Sequence, residues 1–169
     1  MSAEREYEIR PTLEAVARVL GELEAELEQR SMASGPALTD SERIDLAVVL
    51  REAIINGVVH GCLEVGGAWQ AEDGAEWESE VQRRASTPPY SERRVRVRAR
   101  YTSETVEYLV RDDGCGFDPA SVPNPVDPVW IDQPCGRGLL IVRATVDLVE
   151  FNATGNELRM VKRAGSRGD

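Results

Sequence analysis

The chain has 169 residues, 30 of them acidic and 20 basic, for a formal charge of −10 at neutral pH. Binding to a phosphate backbone needs a net basic surface that can displace counterions, so this balance argues against direct nucleic-acid contact. Lys162 is the single lysine and His60 the single histidine, which removes a Walker-type phosphate loop, the strand lysine of eukaryotic-type protein kinases and a zinc cluster from consideration.

Residues 4–10 alternate weakly up to Pro11 and predict a short edge strand. Thr12 then caps a helix to about Arg30, with Leu13, Val16, Ala17, Leu20, Leu23 and Leu27 at helical spacing. After a loop containing Gly35 and Pro36, the run Thr39-Asp40-Ser41-Glu42 has the form of a capping box. The helix it opens is expected to reach His60, with Gly61 as its C-terminal cap. Leu46, Ala47, Val48, Val49, Leu50, Ala53, Ile54, Ile55, Val58 and Val59 make it apolar almost all round, the mark of a buried helix.

Residues 64–94 read as an acidic insertion, with Gly66, Gly67 and Gly74, the acids between 72 and 80, and Pro88-Pro89. Trp77 and Val81, four apart, suggest a short helix within it that packs on the main body. From Arg93 the period becomes two, with Val95, Val97, Ala99 and Tyr101 on one face and Arg94, Arg96, Arg98 and Arg100 on the other. A turn at 102–104 leads to a strand over 105–111. Five prolines make 118–135 an extended loop, and Gly138 to about Asp147 a helix. Strands follow at 148–153 and 157–163, and a frayed tail begins at Ala164. The order β-α-α-ββ-α-ββ predicts an α+β fold, a layer of helices on a mainly antiparallel mixed sheet.

Three places carry chemistry. Glu52, Asn56 and His60 recur every four residues, and each step of four advances only about 40° around a helix, so they form one polar stripe. Such a stripe faces either solvent or a polar pocket. The strand at 105–111 runs into Asp112-Asp113-Gly114-Cys115-Gly116, where two alternate glycines admit a close backbone approach; Asp-Gly is also a common turn. Gly136-Arg137-Gly138 opens a helix whose N–H groups suit phosphate oxygens, or is a plain loop-to-helix junction. Cys62, Cys115 and Cys135 form no C-x-x-C pair and their odd number is no disulfide framework. Cys115 and Cys135 flank the loop at 118–135; small apolar fillers are the plainer reading of them than a redox lock. With no basic-then-apolar leader and no run of 18 apolar residues, the expectation is a cytoplasmic protein that does not enter a membrane.

In their joint order, a Glu-x3-Asn-x3-His-Gly helix, an Asp-x-Gly-x-Gly strand end and a Gly-x-Gly helix start resemble the GHKL ATPase superfamily of gyrase, histidine kinases, mismatch-repair ATPases and anti-sigma factor serine kinases. The stretch from Leu46 to Gly61, together with Gly116-Phe117-Asp118, Gly136-Arg137-Gly138-Leu139 and Gly155-Asn156-Glu157, is most similar to the anti-sigma kinase branch. The resemblance spans about residues 5–163 apart from the insertion. It implies a single histidine-kinase-like ATP-binding domain over 1–169 with ATP and Mg²⁺ as cofactors and an ATP lid at about 118–135.

The same resemblance implies residue roles. Asp112 accepts from the adenine amine, and Gly114 and Gly116 let base and ribose lie on the backbone. Asn56 holds Mg²⁺, a hard cation that takes oxygen ligands. Glu52 orients or deprotonates the attacking hydroxyl. Gly136 and Gly138 hinge the lid beside the phosphates, where Arg137 offers a charged contact. His60 is expected near the pocket, hydrogen-bonded and without a catalytic role.

A sensor histidine kinase needs a phosphorylatable histidine on a dimerisation helix, and residues 12–30 hold none. The chain is also too short for the transducer domains of gyrase and mismatch-repair enzymes. The resulting expectation is a serine/threonine kinase that phosphorylates a small anti-sigma factor antagonist and binds a sigma factor or similar client, with a homodimer left open. A nucleotide-gated binding module without turnover is the alternative, and an acidic scaffold with no nucleotide site a third. The long insertion departs from the short connection usual in that branch, and either remodels the partner surface or is a disordered decoration.

Overall fold

A computed structural model describes residues 3–33, 35–66, 74–121 and 137–165. Gly136, Cys135 and all of the expected lid beyond residue 121 lie outside them, as does the tail from 166. The strands are β1 (Ala3–Ile9), β2 (Val95–Tyr101), β3 (Thr105–Asp112), β4 (Leu148–Phe151) and β5 (Glu157–Arg163), and the helices α1 (Leu13–Ala33), α2 (Asp40–Asn56), α3 (Gly74–Ala85) and α4 (Arg137–Thr145). The strands form one sheet in the order β1-β2-β3-β5-β4. All four pairings are antiparallel, so the α+β fold on a mainly antiparallel sheet forms as expected, with no parallel pair among the described residues.

Alternation decides which face of the sheet is covered. Val95, Val97, Ala99 and Tyr101 of β2, Val106, Tyr108 and Val110 of β3 and Met160 of β5 are buried with the apolar faces of α1 and α2. On α1 the buried stripe is Val16, Val19, Leu20, Leu23 and Leu27, while Leu13 and Ala17, expected in it, are exposed. Leu13 is the first residue of the helix.

On the open face the arginines of β2 meet acids on their neighbours: Arg98 pairs Glu4 at 3.5 Å, and Arg96 pairs Glu8 at 3.5 Å and Asp113 at 2.7 Å. Further along, Arg159 of β5 pairs both Glu107 and Glu150. Exposed pairs of this kind stabilise by about 0–1 kcal/mol each. Their larger consequence is that Arg94, Arg96 and Arg98 of the stripe each face a carboxylate rather than standing as free cations.

The caps form as the sequence suggests. Thr12 Oγ1 accepts from Ala15 N–H at 3.2 Å. At the start of α2 the Thr39 hydroxyl accepts from Glu42 N–H at 3.2 Å while the Glu42 carboxylate accepts from Thr39 N–H at 2.9 Å. Two other expectations for α2 are corrected. It is not buried all round: Ile44 and Val48 are exposed, because only one side of the helix faces the sheet. Nor does it run as an α-helix to His60. From Gly57 to Cys62 the chain widens into a π-helical turn, closed by Leu63 N–H donating to Val58 O at 2.9 Å.

The insertion carries ordered structure among its described residues. Val81 of α3 is buried in the core, and Trp77 packs against it, as their spacing suggests. A 3-10 turn at Tyr90–Glu92 leads back to β2.

Candidate functional site

The site is laid out along α2 and the π-helical turn that prolongs it. Leu46, Val49, Leu50, Ala53 and Ile54 are buried, which holds Glu52 and Asn56 half-buried at the helix margin. They stand about 6 Å apart along the axis, one turn. Neither makes a side-chain hydrogen bond to another described residue, so both polar ends are open to a ligand. Glu52 lies against the first turn of α4: a methyl group built on Gly138 would stand 2.9 Å from the Glu52 carboxyl carbon. A carboxylate there sits favourably at the positive end of the helix. The side chain of Arg137 and all of Gly136 lie outside the described residues.

The far end of the turn meets the end of β3. Gly57 approaches Val95 and the Cβ of Asp112, and at Gly61 the approach is closer still: a methyl group on it would overlap the Asp112 carboxylate, standing 2.8 Å from Oδ2. Gly61 therefore does not end the helix as a cap. Its missing side chain is the space that the Asp112 carboxylate fills, a fact that only the pairing of distant segments creates. Gly114 completes the cradle. Its N–H donates to Asp112 Oδ1 at 2.8 Å, and a methyl group there would stand 2.7 Å from the same oxygen.

The two adjacent aspartates part company. Asp113 turns outward, accepting from Arg94 N–H at 2.9 Å and Arg96 Nη1 at 2.7 Å. Asp112 turns inward, and burial pushes its carboxyl above the usual aspartate range, with the neighbouring Asp113 adding to the rise and the Gly114 N–H opposing it. A raised pKa means that the folded state holds this proton more tightly than the unfolded chain does. Asp112 thus makes stability fall as pH rises from about 3.9 through the folded pKa. Asp112→Asn is expected to be more stable than the wild type at neutral pH in urea melts, with the difference vanishing on acidification, while its affinity for an adenine nucleotide falls. Such a trade of stability for a poised carboxylate is characteristic of a binding site.

The turn between β4 and β5 clamps this corner. Asp112 N–H donates to Asn156 O at 3.0 Å, and Asn156 Nδ2 returns a bond to Asp112 O at 3.1 Å. Asn152 Nδ2 donates to Asn156 Oδ1 at 2.8 Å and fixes the amide. Gly116 (φ 72°) and Gly155 (φ 75°) interlock, since a methyl group on Gly116 would stand 3.2 Å from Asn156 N and one on Gly155 2.8 Å from Phe117 N. The fold itself already uses the freedom of Gly116. Asn156 and Asn152 were given no role by sequence reasoning. The run Gly155-Asn156-Glu157 marked the place but not its function.

His60 is hydrogen-bonded, as expected, with Nδ1 2.8 Å from Val65 O, and its ring is exposed. Cys62 is buried beneath the turn and its thiol is pushed up to about 11 by burial, which makes it inert. Cys115 is exposed in the glycine loop and so is not an apolar filler, and Cys135 lies outside the described residues. No described helix is long and apolar enough to cross a membrane.

A half-buried carboxylate in a glycine cradle, joined by one turn to an open amide and a second carboxylate at a helix start, offers the kinds of donor and acceptor that a nucleotide takes. The family model of the histidine kinase-like ATPase domain matches residues 9–162. A comparison with curated proteins finds no match.

Proposed function

The chain belongs to the histidine kinase-like ATPase family, an ATP-binding module of the GHKL type, and from that premise we propose that it is a protein serine/threonine kinase of the anti-sigma factor type. Its substrate would be a small antagonist protein, and a sigma factor or similar regulator its client, in a cytoplasm. The observation that carries the reading is Asp112, a desolvated acceptor seated against Gly61 and Gly114, where it can take the exocyclic amine of adenine.

Bound ATP supplies the phosphoryl group and Mg²⁺ offsets the phosphate charge. Asn56 would offer that cation an amide oxygen, a hard ligand of the kind it takes. Gly136, Arg137 and Gly138, at the start of α4, would receive the phosphates on backbone N–H groups. Glu52, beside that helix start and free of other described partners, would orient a seryl or threonyl hydroxyl of the antagonist and accept its proton. The acidic balance and the pairing of three of the four stripe arginines on the sheet support protein rather than nucleic-acid partners.

The test is radiolabelled ATP, Mg²⁺ and the antagonist protein. Glu52→Gln is expected to slow transfer by about 10²–10⁴-fold and to leave ATP affinity within a few-fold. Transfer that is absent in the wild type, or unchanged in Glu52→Gln, removes the kinase. One observation favours a second reading, since Glu52 also abuts Gly138 at the start of α4. A carboxylate that seats α4 would suit a nucleotide-gated binding module without turnover, and Glu52→Gln would then alter partner affinity with ATP bound.

A further inference from the structure

The π-helical turn that carries His60 and Gly61 is closed by the N–H groups of Leu63 and Val65, which donate to Val58 O and Val59 O. Its last carbonyl, that of Cys62, and those of Leu63 and Glu64 just beyond it take none of these bonds, and such orphan acceptors need donors from elsewhere. Two arginines supply them. Arg93 Nη1 donates to Cys62 O at 2.9 Å, and to Glu64 Oε1 at 2.8 Å. Arg84 Nη1 donates to both Leu63 O and Glu64 O, each at 2.8 Å. Their guanidiniums flank the ring of Tyr90, 5.1 and 5.3 Å from its centroid, a favourable cation–π arrangement. Glu80 holds the Nε of Arg84 at 2.6 Å. Glu64 takes a left-handed φ of 54°, which disfavours any residue with a side chain. Two of the hydrogen bonds just named reach Glu64 itself, one on its carbonyl from Arg84 and one on its carboxylate from Arg93.

Arg84 belongs to α3, whose Val81 is anchored in the core, and Tyr90 and Arg93 lie in the segment that returns to β2. The insertion therefore grips the far end of the turn whose Gly61 is pressed against Asp112. We propose that residues 74–93 are a brace for the nucleotide site, with Arg84 and Arg93 as positioning residues that hold the turn at the distance at which the Asp112 carboxylate fits its cradle. This rests on the nucleotide-site reading above. It also answers what the insertion does: its described part is neither a decoration nor merely an outer surface, because its cations complete the helix end that builds the site.

The experiment compares wild type, Arg84→Ala, Arg93→Ala and Arg84→Lys, with Arg83→Ala as control, since the Arg83 side chain bonds Glu80 and not the carbonyls of the turn. ATP affinity is read by calorimetry and amide exchange by mass spectrometry on nucleotide-free protein. Each alanine variant of Arg84 and Arg93 is expected to weaken ATP binding about tenfold and to speed exchange at 57–65, with β2 and β3 unchanged. Arg84→Lys is expected to recover most of the affinity, because a single nitrogen serves both carbonyls and an ammonium can do the same; it also carries the test should Arg84→Ala fold poorly. Affinities within twofold of wild type together with unchanged exchange at 57–65 overturn the brace. A wild type that binds no ATP overturns the nucleotide reading instead, and exchange at 57–65 then decides the brace by itself.

Discussion

Glu42→Ala is expected to lower folding stability by about 3–5 kcal/mol, read as a reduced urea midpoint with an unchanged slope. Glu42 and Lys162 are both buried, with the ammonium 3.6 Å from the Glu42 carboxylate and 3.9 Å from that of Asp147. Register forces this burial: Lys162 stands opposite Val106, two places along from Met160, on the helix-covered face of β5. Deleting Glu42 leaves that ammonium beside Asp147 without its nearer counter-charge, and removes half of the capping box. The opposite deletion is expected to cost much less. In Lys162→Met the carboxylate keeps the Thr39 N–H and the Thr39 hydroxyl, at 2.9 and 3.0 Å. Acid supplies a second test of the same pair. The Thr39 N–H, more than Lys162, holds the Glu42 carboxyl below its ordinary value of 4.5. A depressed pKa stabilises the fold above the unfolded value and is lost as pH falls through the folded one. The wild type should lose this contribution below about pH 4.5, and Glu42→Gln should not.

Gly61→Ala is expected to weaken ATP binding at least about tenfold, about 1.4 kcal/mol, and to cost about 1–3 kcal/mol of stability through overpacking. The added methyl group enters the volume of the Asp112 carboxylate. That carboxylate cannot step aside freely, since Gly114 N–H holds Oδ1 and Asn156 holds the backbone on both sides. Gly66→Ala makes the matched control, because no atom of the described residues lies within 4 Å of a methyl group there. Equal ATP affinity in the two variants, measured by calorimetry, would remove the cradle as the adenine site.

Much of the fold was legible in short stretches of sequence. The capping box at Thr39, the alternation of β2 and the turn at 102–104 each follow from residues within a few positions of one another, and each forms. The same locality explains what was misplaced. Gly61 reads as a helix cap because a glycine after a helical run usually is one, and nothing nearby in the chain announces Asp112. The apolar count of α2 predicts burial on every side, but only its sheet-facing side has something to be buried against.

The candidate site divides along the same line. Composition, caps and periodicity were enough to identify an α+β domain and to mark Glu52, Asn56, Asp112 and the glycine boxes, because helical and strand spacing act over one or two turns. Tertiary structure alone decided that Asp112 rather than Asp113 faces inward, that Asn156 clamps it, that Lys162 is drawn beneath the helices and that Arg84 and Arg93 finish the turn. Each of these depends on which partner stands opposite after strands and helices pair across tens of residues, and close packing, unlike periodicity, is set by the whole chain at once.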